Sequence, residues 1–177
     1  MDLTPHHYQR FESIFGDLYQ PLCSYAFTFV QDTNMSEDIV QEVFTRIWET
    51  RKDLLLTDNI RFYLFSAVRN NCITHLRRLK SGRTIPWNEK ELAGNPAVAP
   101  KEGSDKGQYE QLLREAIDLL PEKCREVFVL SRIGHLKYKE IADILCISDK
   151  TVENQLGKAL KLIREFLKKR DIYNRGK

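Results

Sequence analysis

The sequence predicts an all-α protein made of two small helical domains joined by a flexible linker, the C-terminal one a helix-turn-helix domain. Three observations support this. Apolar residues recur at the three-and-four spacing of a helix in one segment after another. Residues 81–107 interrupt that pattern with four of the eight glycines and three of the six prolines. Near the C-terminus a tight break, Cys146-Ile147-Ser148, separates two amphipathic patterns. At 177 residues, 42% of them hydrophobic, the chain can bury a real core as one domain or two small ones.

The first pattern runs over residues 6–30, where Phe11, Ile14, Phe15, Leu18, Leu22, Tyr25, Ala26 and Phe29 form a stripe. Pro21 falls inside it. A proline has no N–H for the helix ladder, so a break or a new helix is expected near residue 20. Residues 36–50, SEDIVQEVFTRIWET, are the clearest helix. Ser36 is the expected N-cap, and Glu37 and Asp38 suit the positive end of the helix dipole. Ile39, Val40, Val43, Phe44, Ile47 and Trp48 make an unbroken apolar stripe, opposite Asp38, Gln41, Glu42, Thr45, Arg46 and Glu49. A polar face of this kind is ordinarily just solvated.

Residues 51–59, RKDLLLTDN, read as a loop whose three leucines are either core or a contact surface, with Asp58 or Asn59 as a cap for the helix after it. That helix, residues 60–80, carries Ile60, Leu64, Ala67, Val68, Ile73 and Leu76 together with Arg61, Arg69, Arg77, Arg78 and Lys80. Phe62, Tyr63 and Phe65 lie among these charges. Cations beside aromatic rings can hold a single nucleic-acid strand, tracking phosphate while the rings stack on bases. Core packing is the competing role; it is the expectation for Phe65 and is open for Phe62 and Tyr63.

After the linker, in which Ile85 and Trp87 are apolar islands, a helix is expected over 108–120. Another starts after Pro121 and ends before Gly134. The helix-turn-helix comes next, from Tyr138, its second helix reaching about Lys169. Small Ala142 suits a helix crossing, Ile147 can plug the corner, and Ser148 is a good N-cap. If Val152, Leu156, Ala159 and Leu160 face inward, the opposite face carries Lys150, Glu153, Asn154, Gly157, Lys158 and Lys161, bordered by Thr151 and Gln155. Lys, Asn and Gln are side chains that hydrogen-bond base edges in a major groove. An ordinary helical hairpin with a solvated face is the plainer alternative.

Net charge is +3 but uneven: residues 1–60 carry 4 basic and 10 acidic side chains, residues 61–100 carry 7 and 2, and residues 101–177 carry 17 and 13. An acidic first third and a basic remainder suit a basic protein surface at one end and nucleic acid over the rest. Cys23, Cys72, Cys124 and Cys146 form no Cys-x-x-Cys pair and read as reduced thiols in a cytoplasmic protein. Cys72 and His75 can share a helix face, but two ligands do not make a zinc site, so no metal is expected. No cofactor is expected either, since there is no phosphate loop and no paired acid–base site. No apolar run approaches the roughly 20 residues of a membrane span.

Two blocks, in this order and separated by a linker, resemble the extracytoplasmic-function (ECF) group of sigma-70 family RNA polymerase sigma factors. One is SEDIVQEVFTRIW followed by FYLFSAVRNNCITHLRR; the other is LPEKCREVFVLSRIGHLKYKEIADILCISDKTVENQLGKALKLIREFL. The resemblance covers roughly residues 8–80 and 109–168. It implies a region 2-like domain over 1–80, a linker over 81–107 and a region 4-like domain over 108–177. It further implies a non-enzymatic transcription factor with core RNA polymerase and promoter DNA as partners, and an anti-sigma factor, in many cases membrane-anchored, as a third. Asp38, Gln41, Glu42 and Arg46 would dock on the polymerase. Asp58, Asn59, Arg61, Phe62, Tyr63, Arg69, Asn70, Arg77 and Arg78 would recognise and melt the −10 element. Ser148, Lys150, Thr151, Glu153, Asn154, Gln155 and Lys158 would read the −35 element.

Two positions depart from the family pattern: Thr74, followed by His75, stands where Asp is common, and Cys146 stands where Gly is common. A non-glycine residue at positive φ is strained, so the turn is expected to differ slightly. The alternative function is a stand-alone regulator whose helix-turn-helix binds an operator without polymerase, a reading that leaves the basic aromatic helix without a role.

Overall fold

The computed structural model describes residues 5–81 and 105–175, with side chains over 6–81 and 111–170. Ile85, Trp87 and nearly all of the predicted linker lie outside the described residues. Among the described residues there are seven α-helices and one short 3-10 helix, and no strand. The chain divides into two compact units, Met1–Glu91 with Arg132–Leu136, and Leu92–Ser131 with Lys137–Lys177.

In the first unit α1 (Pro5–Val30), α2 (Thr33–Thr50) and α3 (Ile60–Lys80) pack against one another, with the 3-10 helix Lys52–Leu56 closing one end. The expected break at Pro21 does not occur: α1 is continuous through it. A proline inside a helix costs about 3 kcal/mol. Leu18, Leu22, Tyr25 and Ala26, on either side of Pro21, are all buried. Each large side chain buried this fully contributes roughly 1.5–3 kcal/mol, which offsets the proline.

The start of α2 also differs from expectation. Its N-cap is Asp32, whose carboxylate accepts the Met35 N–H at 2.7 Å. Ser36 lies inside the helix, 2% exposed, and its hydroxyl donates to the Asp32 carbonyl at 2.6 Å. A carboxylate is the stronger acceptor at a positive helix end, and it comes four residues earlier than the serine. Ile39, Val40, Val43, Phe44 and Ile47 are buried as the stripe requires. The predicted loop at 51–59 contains the 3-10 turn. Its three leucines divide, Leu55 fully buried, Leu54 half-buried and Leu56 exposed. Phe65 is core, its ring 5.4 Å from that of Tyr25.

The second unit holds α4 (Asp105–Asp118), α5 (Glu122–Arg132) as far as Ser131, α6 (Tyr138–Leu145) and α7 (Asp149–Arg175). The first helix thus starts three residues ahead of the expected 108. Arg125 ties α5 to the end of α4: its Nε donates to the Ile117 carbonyl at 3.1 Å, and its Nη2 donates to the carbonyls of Asp118 and Leu120. The end of a helix leaves its last carbonyls short of partners; Arg125 serves those of Asp118 and Leu120, and shares that of Ile117 with the Leu120 N–H, which donates to it at 3.0 Å. Val152, Leu156, Ala159 and Ile163 of α7 are buried, and α7 packs on both α4 and α6.

The corner between α6 and α7 sets the direction in which the polar face of α7 points. Cys146 adopts the left-handed conformation, φ 53° and ψ 48°, and its N–H bonds the Ala142 carbonyl, which also accepts from Ile147 N–H at 3.0 Å. This is the closure a glycine usually makes. Cys146 therefore does not relax the turn into another shape; it occupies the glycine conformation and bears the strain. Ser148 caps α7 as expected, its Oγ accepting the Thr151 N–H at 3.1 Å.

Candidate functional site

Three surfaces hold the residues singled out by the sequence. On α7, Lys150, Glu153, Asn154 and Lys158 are exposed on one face, with Gly157 and Lys161 among them, while Thr151 and Gln155 are half-buried at its borders. Glu153 accepts from Lys150 Nζ at 2.7 Å, so two residues of the face neutralise one another. Ser148 and Thr151 pair their hydroxyls at 2.9 Å at the helix start. Gln155 is held from below: its Oε1 accepts from the Cys124 thiol of α5 at 2.9 Å. In a helix-turn-helix the N-terminal residues of the second helix are the ones that meet base edges in a major groove, and on α7 those positions are the exposed polar ones.

On α3 helical spacing separates the candidates. Phe62, Arg69, Asn70 and Arg77 fall along one side; Phe62 and Arg69 are half-buried, Asn70 and Arg77 exposed. Tyr63, half-buried, and Arg78, exposed, flank that stripe. Arg61 does not join it. It shares the spacing of buried Phe65, Val68 and Cys72, and is half-buried on that side. Asp58 and Asn59 are exposed in the turn before α3, and Asn59 occupies the N-cap position without a side-chain capping bond. Thr74 is exposed and His75 half-buried.

On α2, Gln41, Glu42 and Arg46 are exposed and Asp38 is half-buried. Glu42 and Arg46 form an ion pair at 3.0 Å, one helical turn apart. Gln41 Nε2 donates to the Tyr19 hydroxyl at 3.3 Å. Sequence reading missed what lies beside them. Tyr8, Phe11 and Phe15 of α1 and Gln41, Phe44, Thr45, Trp48 and Glu49 of α2 line an open groove of about 450 Å³. Its aromatic wall is continuous: Phe11 lies 4.9 Å from Trp48 and Phe15 lies 4.9 Å from Phe44, centroid to centroid. Lys52 Nζ sits 5.1 Å over the Trp48 ring, a cation–π contact. The signal was present as a surplus of aromatics at the start of α1, beyond what one buried stripe needs.

Neither thiol of the first unit offers a nucleophile. Burial pushes Cys23 up to about 11 and Cys72 up to about 12, so both stay protonated at neutral pH. Among the described residues no group of three or more His, Cys, Asp or Glu side chains is placed to hold a metal ion. No helix among them is long and apolar enough to cross a membrane.

Comparison with known proteins matches the two blocks separately. Residues 14–82 match the family model described as Sigma-70 region 2, and residues 110–163 match the one described as Sigma-70, region 4. The chain is similar to RNA polymerase sigma factor SigV of Bacillus subtilis, 27% identical over 147 residues that cover 83% of this chain and 84% of the relative. It is also similar to the ECF RNA polymerase sigma factor SigM of the same organism, 27% identical over 170 residues, 94% of each chain. The ferric citrate uptake sigma factor FecI of Escherichia coli is 27% identical over 151 residues, covering 85% of this chain and 87% of the relative. Among solved structures, the fold is similar to that of the sigma factor RpoE in complex with the anti-sigma factor NepR from Bartonella quintana. That match has a TM-score of 0.62 and 21% identity, and covers 89% of this chain and 96% of that one.

Proposed function

Because the chain belongs to the sigma-70 family of RNA polymerase sigma factors, in its extracytoplasmic-function group, we propose that it binds core RNA polymerase and directs it to promoters with −10 and −35 elements. The observation that carries this reading is the ordered pair of family matches, region 2 over residues 14–82 and region 4 over 110–163. Each falls on helices that keep a polar face exposed.

In this reading residues 1–80 serve the polymerase and the −10 element, residues 81–107 connect, and residues 108–177 serve the −35 element. Asp38, Gln41, Glu42 and Arg46 dock on the polymerase, and the aromatic groove beside Gln41 extends that surface. A charged rim around an apolar centre is the usual anatomy of a protein interface. On α3 the Arg69 and Arg77 cations track phosphate while Phe62 and Tyr63 stack on exposed bases. Asp58 and Asn59 receive a base turned out of the duplex, which costs a few kcal/mol of unstacking that these contacts offset. Arg61 lies away from that stripe, so its part is at the first turn of α3. Lys150, Asn154, Gln155 and Lys158, with Glu153 and the capping pair Ser148 and Thr151, read the −35 duplex.

The chain itself performs no catalysis; nucleotide joining belongs to the polymerase, and the chain works in the cytoplasm beside it. An anti-sigma factor is the expected third partner, supported by the similar fold of RpoE, a protein solved with one. An operator-binding regulator that works without polymerase leaves the region 2 match without a role.

Alanine at Lys150 or Asn154 tests the reading. Either variant, on core polymerase, should relax −35 preference by about 1–3 kcal/mol per lost base contact. Unchanged rank order of promoter variants in both would mean that α7 does not read the element in this register.

A further inference from the structure

We propose that Cys124 is a positioning residue for base reading. Its buried thiol turns the Gln155 amide so that residue 155 offers the −35 duplex hydrogen-bond donors and no acceptor. The inference rests on α7 being the recognition helix.

Cys124 lies on α5, 1% exposed, and cannot itself reach DNA. Its Sγ–H donates to Gln155 Oε1 at 2.9 Å across 31 residues of chain, in a partly buried bond. Gln155 sits at the border between buried Val152, Leu156 and Ala159 and exposed Asn154 and Lys158. A carboxamide carries its oxygen and its NH2 group on opposite corners. With the oxygen engaged toward α5, the NH2 group is what faces outward.

That orientation changes the base the residue can choose. A glutamine free to turn pairs with adenine, donating to N7 and accepting from the N6 amino group. A glutamine whose oxygen is held inward has two N–H groups to offer and no acceptor. It matches a base edge that carries acceptors, N7 and O6 of guanine or O4 of thymine, and loses the adenine pairing. The selectivity at this position is therefore set by a pair of residues, of which one never touches the promoter.

The test uses the full chain on core RNA polymerase, with a promoter whose −35 positions are varied one at a time and transcripts counted per template. Base ranking is a ratio within one variant, so it does not depend on how much of that variant is folded. Wild type should favour guanine or thymine over adenine at the position whose selectivity is lost in Gln155→Ala. Cys124→Ala should raise adenine there about tenfold relative to guanine, the value of one good base contact, with other positions unchanged. Cys124→Ser, which keeps a donor at the same atom, should restore the wild-type ranking.

A wild-type preference for adenine at that position overturns the proposal. So does a wild-type ranking retained in Cys124→Ala while Gln155→Ala flattens it; in both cases the −35 reading stands. If Gln155→Ala alters no position while Lys150→Ala or Asn154→Ala does, Gln155 is not a reader and the proposal falls alone. If none of the three alters any position, the reading of α7 falls with it.

Discussion

Replacing Cys146 by glycine probes the corner that sets the angle between α6 and α7. Cys146 sits at φ 53°, ψ 48°, where the Cβ of an L residue crowds the following carbonyl at a cost of roughly 1–2 kcal/mol. Glycine has no such clash, but it adds unfolded-chain entropy worth about 0.4–1 kcal/mol in the other direction. The side chain contributes little to set against this: it is exposed, and its Sγ lies 3.9 Å from the Asp143 carbonyl. The balance is a stabilisation of about 0.5–1 kcal/mol. For a domain of 60–100 residues each kcal/mol moves Tm by about 4–8 °C, so the C-terminal unit should gain roughly 2–8 °C. Calorimetry on the full chain reads this, with the C-terminal transition identified as the one that falls in Val152→Ala, a buried position. Cys146→Ala keeps the Cβ and should show no such gain. A fall in Tm for Cys146→Gly, or an equal rise for glycine and alanine, would refute the left-handed corner.

Three other substitutions have outcomes set by the same structure. Gly157→Ala should stabilise the same unit by about 0.8–1 kcal/mol, the helix-propensity difference, because an added Cβ meets nothing within 4 Å; a lower Tm would mean that the face is crowded. Asp32→Ala removes the carboxylate that accepts the Met35 N–H and should cost about 1 kcal/mol, read as a lower urea midpoint; no change would return the capping role to another group. Glu42→Lys should weaken association with core polymerase and leave thermal stability nearly unchanged, since the exposed pair with Arg46 contributes little to folding. Unchanged affinity in a titration with purified core would remove Glu42 from the proposed docking surface.

Most of the fold was legible because helical periodicity in this chain is long and regular. The stripe of α2, the bounds of α3 and the cap–turn–helix at Ser148 all arise from local spacing and hydrogen-bonding chemistry. The features that were not legible are tertiary. Pro21 reads as a break, yet burial of Leu18, Leu22 and Tyr25 on both sides keeps α1 whole. Ser36 reads as a cap, yet Asp32 takes the position and Ser36 is drawn into the core. The aromatic groove needs two helices brought together. The bond between Cys124 and Gln155 joins residues 31 apart, and no local pattern marks it.

Run-off transcription decides whether the chain directs polymerase to promoters: the purified chain, bacterial core RNA polymerase, and fragments of the source genome, with and without the chain. Discrete new transcripts are expected when both proteins are present, sharing upstream elements at −35 and −10. Tight binding of the chain to duplex fragments without polymerase, with no new transcript when core is added, would contradict the proposed function.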